Sequence, residues 1–292
     1  MANLKEIRTR ISSVKSTRQI TSAMKMVAAA KLRKSQDSIV QMRPYATKLQ
    51  EILSNLSESL DSKEDNKYAQ QRPADKVLLI LITSNKGLCG GFNSNILKKT
   101  DSLLKDKYKD QFKKGNVSFI AIGKKAVEYL KRTQKNMISS HNELLEESSF
   151  NNVAQLADSI MKRFVNKTFD KVEIVYNEFK NAANQNTCSE QFLPIEVKSE
   201  EGSKINHDYI FEPSKEYIVN ELIPKSLKVQ IFKAILDSIA SEHGARMTAM
   251  HQATDNATEL LKDLQLDYNK ARQAAITNEI LEIVSGAEAL KG

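Results

Sequence analysis

Residues 225–285 read KSLKVQIFKAILDSIASEHGARMTAMHQATDNATELLKDLQLDYNKARQAAITNEILEIVS, and Gly244 is the only strong helix breaker among them. At about 1.5 Å of rise per residue, this stretch alone predicts a helix of roughly 90 Å. Such a helix is far longer than a domain of this size is wide, so we expect it to protrude. Residues 1–43 likewise contain no glycine and no proline. The sequence therefore predicts a long helix at each end.

Both terminal stretches repeat apolar residues at two positions in every seven, which is typical of a coiled coil. The N-terminal seam contains Leu4, Ile7, Ile11, Val14, Ala28, Leu32, Ile39 and Met42. The C-terminal seam contains Leu236, Ala240, His243, Met247, Met250, Thr254, Ala257, Leu261, Leu264, Tyr268, Ala271 and Ala275. These matched seams predict an antiparallel coiled coil formed by the two ends of the chain.

The two seams change character at particular points. The remaining N-terminal seam positions are polar and are occupied by Arg18, Thr21, Lys25 and Ser35. We therefore expect this part of the helix to face something other than its coiled-coil mate. Beyond Ala275 the apolar residues move to another face, at Ile276, Ile280, Ile283, Val284 and Ala287.

The middle of the chain alternates between strand and helix patterns in the manner of βαβ units. We predict strands at 77–83, 117–123 and 171–179, and helices at 95–108, 124–132 and 152–168. Residues 192–197 are predicted as an edge strand, because Pro194 would be poorly tolerated in a central one.

The predicted fold class is α/β plus a long antiparallel coiled coil, with a central Rossmann-like α/β domain whose sheet is mainly parallel. The predicted domains are an N-terminal coiled-coil helix (1–56), a polar linker (57–75), the central domain (76–212) and a C-terminal coiled-coil helix (213–292).

Composition limits the class of protein. The chain has 292 residues, of which 40% are hydrophobic and 27% charged, as in a globular protein. No segment approaches the ~18 uninterrupted apolar residues of a membrane span, and the start lacks a signal-peptide pattern. We expect a soluble chain, cytosolic or attached from the cytosolic side. Cys89 and Cys188 form no C-x-x-C pair, which indicates two inert thiols in a reducing compartment.

The net charge of +8 is concentrated at the N-terminus. Residues 1–50 carry eleven Lys or Arg and two acidic residues, a net +9, which leaves −1 for the other 242 residues. Such a basic helix predicts an acidic partner, nucleic acid or an anionic surface. Residues 1–44 contain no aromatic side chain on which a base could stack, so only non-specific phosphate contacts would remain. The alternative function is thus a cytosolic basic coiled-coil protein that binds nucleic acid non-specifically.

No motif in the sequence nominates a catalytic or cofactor site. The turn TSNKGLCGGFN, residues 83–93, lies between a strand and a helix as a phosphate loop would, but matches neither the Walker nor the dinucleotide pattern. Tight packing explains its glycines better. The four histidines have no metal-ligand spacing. A small α/β enzyme with helical arms remains a third possibility.

Three segments resemble the gamma subunits of F-type ATP synthases. They are IRTRISSVKSTRQITSAMKMVAAAKLRKSQ (7–36) with RPYA (43–46), the turn GLCGGFN (87–93), and SEHGARMTAMHQATDNATELLKDLQLDYNKARQAAITNEILEIVSGAEAL (241–290). The resemblance covers essentially the whole chain. It implies a non-catalytic rotor shaft, present in one copy, that couples proton flow to conformational change in catalytic beta subunits.

The resemblance also implies partners and a location. The coiled coil would lie within a hexamer of alpha and beta subunits, and the α/β domain would sit on the membrane rotor ring of c subunits beside the epsilon subunit. The chain itself would bind no cofactor, no metal and no nucleic acid, and would not insert into the membrane. We expect a peripheral position on the cytoplasmic side of a bacterial plasma membrane, since no transit sequence precedes the helix.

The family motifs assign roles to particular positions. The residues expected to face an acidic lever loop of a beta subunit, called the lever-contact residues below, are Met24, Lys25, Lys31, Arg33 and Lys34. The residues that match the polar catch on a beta-subunit loop, called the catch residues below, are Arg272, Gln273 and Thr277. Tyr209 and Glu212 match the foot on the rotor ring, and the apolar residues from Ile276 match a tip that turns in an apolar bearing.

The chain departs from the family pattern before the glycine turn. Asn85 and Lys86 replace the usual Asp-Arg pair, which puts the polar contact there in doubt. The regulatory cysteine pair of the plastid type is also missing, so we expect no disulfide switch.

Overall fold

A computed structural model describes residues 4–58, 67–146, 149–195 and 215–289. Its helices are α1 (Leu4–Glu58), α2 (Phe92–Asp106), α3 (Lys109–Lys113), α4 (Lys124–Arg132), α5 (Phe150–Val165) and α6 (Lys215–Ala289). Its strands are β1 (Val77–Ile82), β2 (Val117–Ile122), β3 (Met137–Ser140), β4 (Lys171–Phe179) and β5 (Gln185–Leu193). The terminal helices α1 and α6 have 55 and 75 residues, which confirms the two long helices predicted from the sequence.

The chain divides into two compact units. The first comprises residues 1–28 and 247–292, and the second comprises residues 29–246. The first unit is thus a pair of helix segments from the two ends of the chain. The second contains the sheet and the helices that cover it. In the described part of the chain, no helix has the length and hydropathy needed to cross a bilayer.

The helices of the first unit run antiparallel. Arg8 Nη2 donates a hydrogen bond to the Tyr268 hydroxyl (2.8 Å), and thirteen residues later the hydroxyl oxygen of Thr21 lies 2.8 Å from that of Thr254. The partner number therefore falls as the α1 number rises. The Arg8 guanidinium also lies 5.7 Å from the centre of the Tyr268 ring, within cation–π range.

Burial along the first unit follows the predicted seam. On α6, Met250, Ala257 and Leu261 are buried, and the remaining seam positions from Thr254 to Ala275 are half-buried. The residues between them are mostly exposed. On α1, Ile7 and Ala28 are buried. The coiled-coil prediction is confirmed for this unit.

The expectation that the polar seam positions turn away from the mate is wrong for Thr21. This side chain is only 9% exposed, and it meets Thr254 across the seam. Its hydroxyl also donates to the Arg18 carbonyl (3.1 Å). A small hydroxyl can satisfy its hydrogen bonds locally, so it can occupy a seam without an unpaired polar atom.

The second unit is built on a five-stranded sheet with the order β3-β2-β1-β4-β5. The first four strands in this order are parallel, with Val77 opposite Val117 on one side and Lys171 on the other. Strand β5 pairs antiparallel to β4, where Tyr176 lies opposite Cys188. The mainly parallel sheet confirms the predicted fold class.

Helices cover both faces of the sheet, and each face has its own core. Every residue of β1 is fully buried, which explains its continuous apolar sequence VLLILI. Alternate residues of β1 contribute to opposite cores: Leu78 packs with α5 and the Ile223–Ile239 part of α6, whereas Leu79 packs with α2 and α4. The sheet is therefore the middle layer of three.

The structure corrects several details of the sequence prediction. Strand β3 has the sequence MISS, which is too short and too polar to be recognised from its pattern. Strand β5 begins at Gln185 rather than Phe192, and Pro194 follows its last residue. Polar residues occupy most of β5 because it is an edge strand with half-exposed side chains.

Candidate functional site

The glycine turn, residues 83–93, leaves the carboxyl end of β1 and is anchored by Arg246 of α6. Arg246 Nη2 donates to the backbone carbonyls of Lys86 (3.0 Å) and Gly87 (3.2 Å). Its Nη1 donates to Glu242 Oε1 at 2.6 Å, one helical turn earlier. A single guanidinium thus links the turn to the long helix, a contact that no local sequence pattern indicates.

Polar side chains inside the glycine turn bond to one another. Asn93 Oδ1 accepts from the Ser84 backbone N–H (3.0 Å), and Asn93 Nδ2 donates to Ser84 Oγ (2.8 Å) and Cys89 Sγ (3.2 Å). Gly123, opposite the turn, has a φ of 106°, and a Cβ there would lie 2.3 Å from the Thr83 carbonyl oxygen. This internal bonding supports the packing interpretation of the turn over phosphate binding.

Asn85, at the position where the resemblance leads us to expect Asp, joins three segments. Its Oδ1 accepts from the Lys124 backbone N–H (3.1 Å), and its Nδ2 donates to the Asn142 carbonyl (3.1 Å) and to Glu146 Oε1 (3.2 Å). A carboxylate could accept the first bond but could not donate the other two. The substitution therefore comes with its own set of partners in this chain.

Burial changes the pKa values beside the Arg246 anchor. Burial raises the pKa of Glu242, while Arg246 opposes that shift. Burial, together with the positive charges of Arg246 and Lys31, lowers the pKa of His243 to about 4. His243 is therefore a neutral, half-buried residue at neutral pH.

The thiols of Cys89 and Cys188 are free and protonated. Burial raises the pKa of Cys89 and of Cys188. A raised pKa lowers the thiolate fraction and hence reactivity, in keeping with two inert cysteines.

The lever-contact residues all lie on α1. Met24 and Lys25 belong to the first unit and are half-buried, whereas Lys31, Arg33 and Lys34 belong to the second and are exposed. The structure thus leaves three of the cations accessible to an acidic partner. Their role in binding a beta subunit stays a prediction.

An open groove lies on the first unit, with residues of both α1 and α6 in its lining. It has a volume of about 450 Å³ and is lined by Arg18, Gln19, Ser22, Ala23, Met26, Thr254 and Thr258. Met26, which is not one of the predicted lever-contact residues, is 63% exposed. Of Met24 and Met26, Met26 presents more surface to a partner.

The catch residues are all exposed on the last third of α6. Thr277 Oγ1 donates to the Gln273 carbonyl (2.9 Å), one turn earlier, so these two residues share a face. Arg272 is beside them in sequence. The arrangement is a short polar strip that is open to a partner, and its role as a catch stays a prediction.

The end of α6 is exposed and apolar. The large apolar side chains Ile276, Ile280, Leu281, Ile283 and Val284 are between 48% and 71% exposed. A run of this size on one helix end is typical of a surface that another protein covers. The predicted foot residues, Tyr209 and Glu212, lie outside the described residues.

Comparison with known proteins decides the family. The family model described as ATP synthase matches residues 3–290. The ATP synthase gamma chain of Flavobacterium johnsoniae is 58% identical over 293 residues, and that of Christiangramia forsetii is 56% identical over 293 residues, with 100% of both chains covered in each case. The chain belongs to the ATP synthase gamma chain family.

Two solved structures share the fold of this chain. The central stalk of the Tetrahymena thermophila mitochondrial ATP synthase is 25% identical, with a TM-score of 0.58 over 80% of this chain and 99% of that one. The rotor of the Euglena gracilis enzyme shares the fold, with a TM-score of 0.65 over 94% of this chain and 98% of that one.

Family membership separates the functions that the sequence left open. Gamma chains are non-catalytic subunits of the central rotor, so the chain is not an enzyme by itself. The nucleic-acid and small-enzyme alternatives have no support in the family.

Proposed function

We propose that the chain transmits rotation between a membrane rotor ring and a hexamer of alpha and beta subunits. Proton flow turns the ring, and the helix pair carries that rotation to catalytic beta subunits, for ATP synthesis or in reverse during hydrolysis. An asymmetric shaft favours a different conformation in each beta subunit in turn. Its differential contacts with those conformations shift their populations.

The observation that carries this proposal is the antiparallel helix pair of the first unit. A shaft transmits torque only if its two helices keep their register. Leucine-type seams permit slippage, whereas a polar residue at a seam position specifies register. The Thr21–Thr254 contact is such a point within the seam, and the exposed Arg8–Tyr268 hydrogen bond is a second polar contact, thirteen residues earlier on α1.

The proposed contacts with the hexamer use three kinds of surface. The lever-contact residues attract an acidic loop of a beta subunit by charge. The catch residues bond to a second, polar loop, since all three are exposed. The apolar residues from Ile276 turn in a bearing that needs no specific hydrogen bonds and therefore imposes no preferred angle.

The proposed attachment at the other end involves the rotor ring and the epsilon subunit, with Tyr209 and Glu212 on the ring. The complex would lie on the cytoplasmic side of a bacterial plasma membrane, with this chain as a peripheral component in one copy.

Co-purification tests this proposal. The chain carrying an affinity tag is recovered from gently solubilised membranes of the organism that makes it, and its companions are identified by mass spectrometry. We expect alpha and beta subunits in threefold excess over the tagged chain, with epsilon and c subunits. Recovery of nucleic acid without these subunits would contradict the proposal.

A further inference from the structure

The amino-terminal edge of the sheet gathers four separate segments of the chain. These segments, called the cationic edge below, are residues 72–76, 105–114, 131–135 and 167–171, and each leads into one of the parallel strands. Backbone and side-chain hydrogen bonds tie these segments and the strand starts together. They run from Gln111 Nε2 to the Ala74 carbonyl (2.8 Å), from Val77 N to the Asn116 carbonyl (3.0 Å), from Phe119 N to the Asn136 carbonyl (2.9 Å) and from Asp170 N to the Lys76 carbonyl (2.8 Å).

The cationic edge carries a large positive charge. Its four segments hold twelve Lys or Arg residues and four Asp residues, a net +8. Two of the cations are compensated from outside the segments, because Lys107 pairs with the buried Glu173 and Lys135 pairs with Asp101 (2.7 Å). A net charge of +6 remains. The net charge of −1 over residues 51–292 hides this local positive excess, because acidic residues elsewhere in that range offset it.

Helix ends account for only part of this charge. Lysines in the last turn of a helix are favoured by the helix dipole, and Lys105, Lys131 and Arg132 occupy such positions. Lys109, however, begins α3, where the dipole disfavours a cation. Lys114 follows the last residue of α3. Fold stability therefore does not require the whole set.

An exposed aromatic side chain lies among the cations of the cationic edge. Phe112, on α3, is 42% exposed, and the residues three before and one after it are Lys109 and Lys113, both exposed. An exposed aromatic ring among lysines is the combination that interfacial membrane-binding segments use. The ring enters the headgroup boundary while the ammonium groups stay at the phosphates.

We propose that the cationic edge docks on the anionic phosphate headgroups of a lipid bilayer. This inference rests on the proposed function, which places the chain beside a membrane. Ten of the twelve cations are lysines, whose ammonium groups act as point charges, and a cluster of such charges is typical of segments that bind anionic lipid. The opposite edge of the sheet is occupied by the glycine turn and its Arg246 anchor. The positive charge of the cationic edge therefore faces away from the glycine turn.

The chain has no tryptophan, so one can be introduced as a specific probe. Phe112→Trp in the full chain is mixed with vesicles of phosphatidylcholine containing half phosphatidylglycerol, and with vesicles of phosphatidylcholine alone. We expect a blue shift of Trp emission and quenching by brominated lipid with the anionic vesicles only. High salt should abolish both changes, since it screens exposed charges.

Charge-reversal variants locate the contact. Lys109→Glu with Lys113→Glu and Lys114→Glu, in the Phe112→Trp background, should weaken vesicle binding at least tenfold, since each lysine near an anionic surface favours binding about fivefold. The matched control reverses Lys31, Arg33 and Lys34 on α1 and should leave quenching at position 112 intact.

Three results would overturn the proposal. One is unchanged emission from the probe at position 112 when anionic vesicles are added. The second is quenching that persists in the variant with Lys109, Lys113 and Lys114 reversed. The third is binding to polyglutamate peptide without any response to anionic vesicles. The last result would indicate an acidic protein partner instead. The vesicle assay uses the chain alone, so its failure would leave the recovery of alpha and beta subunits, which tests the rotor function, unaffected.

Discussion

The hydroxyl oxygens of Thr21 and Thr254 lie 2.8 Å apart across the seam of the helix pair. Each hydroxyl also reaches a backbone carbonyl on its own helix, of Arg18 (3.1 Å) and Met250 (2.7 Å) respectively. The pair shares two protons: Thr21 donates to the Arg18 carbonyl, and Thr254 donates either to the Met250 carbonyl or across the seam to Thr21. It marks one register of the two helices without leaving a buried polar atom unpaired.

A double-mutant cycle tests this coupling. Thr21→Val should lower the free energy of unfolding by about 1 kcal/mol, because one hydroxyl loses its partner across the seam. Thr254→Val should do the same, and the double variant should cost less than the sum of both. Urea unfolding of the full chain measures all four proteins. Strictly additive losses would mean that the two hydroxyls do not interact.

Removing the Arg246 side chain should destabilise the second unit. Arg246→Met deletes two bonds to turn carbonyls and leaves Glu242 buried without its cation, which should cost about 3 kcal/mol. Hydrogen exchange should accelerate first in the glycine turn.

The double variant Arg246→Met with Glu242→Gln is the matched control. It removes the unpaired charge and should recover part of the loss. Equal protection of the turn in wild type and Arg246→Met would show that the anchor does not hold it.

His243 should make the chain less stable in acid. Its pKa is lowered from 6.5 to about 4 by burial, so the folded state binds this proton less readily than the unfolded state. The stability that the neutral side chain contributes is complete above pH 6.5 and is lost as pH falls toward 4, by up to about 3 kcal/mol.

The comparison with His243→Gln isolates this effect, because the raised pKa of Glu242 acts in the opposite direction over an overlapping range. The unfolding free energy of wild type should fall more steeply than that of His243→Gln between pH 6.5 and 4. An equal pH dependence of the unfolding free energy in the two proteins would refute the lowered pKa of His243. His251→Gln, at an exposed position of the same helix, serves as a control.

Met24 and Met26 are distinguished by adding a charge at each. Met24→Lys is expected to lower the number of protons pumped per ATP hydrolysed while assembly continues, because a cation is placed beside a moving loop. Met26→Lys, at the more exposed position, is the matched variant. Normal pumping by Met24→Lys with impaired pumping by Met26→Lys would transfer the contact to Met26.

Alanine at Arg272 and Gln273 should lower ATP turnover of the reconstituted complex several-fold. Both side chains are exposed, so the helix pair should keep its melting temperature. Lys270→Ala, at an exposed position of α6 outside the catch residues, should retain normal turnover. Full activity of the Arg272 and Gln273 variant would refute the catch assignment.

Long periodic elements were the most predictable part of this fold. The seam from Met250 to Ala275 alternates between buried or half-buried and exposed residues as the repeat of seven requires. Strand β1 was equally clear, because a run of six apolar residues fits a strand buried on both faces. In both cases the local pattern and the tertiary environment impose the same requirement.

Features that depend on distant residues could not be predicted. Arg246 and the Lys86 carbonyl are 160 positions apart, and no local pattern links a guanidinium to a backbone oxygen. Strand β3 takes its conformation from pairing with β2 rather than from its own residues MISS. The cationic edge arises because parallel topology returns four segments to one edge, although the run KYKDQFKK (107–114) could have indicated part of it.

The most direct test is to watch the chain turn. Complexes reconstituted with alpha and beta subunits are fixed to a surface through the hexamer, and a bead is attached at Ser102→Cys, an exposed position on α2, in a chain with Cys188→Ser. With ATP the bead should rotate in one direction, pausing at each third of a turn. Continuous ATP hydrolysis by complexes that hold a stationary bead would contradict the account.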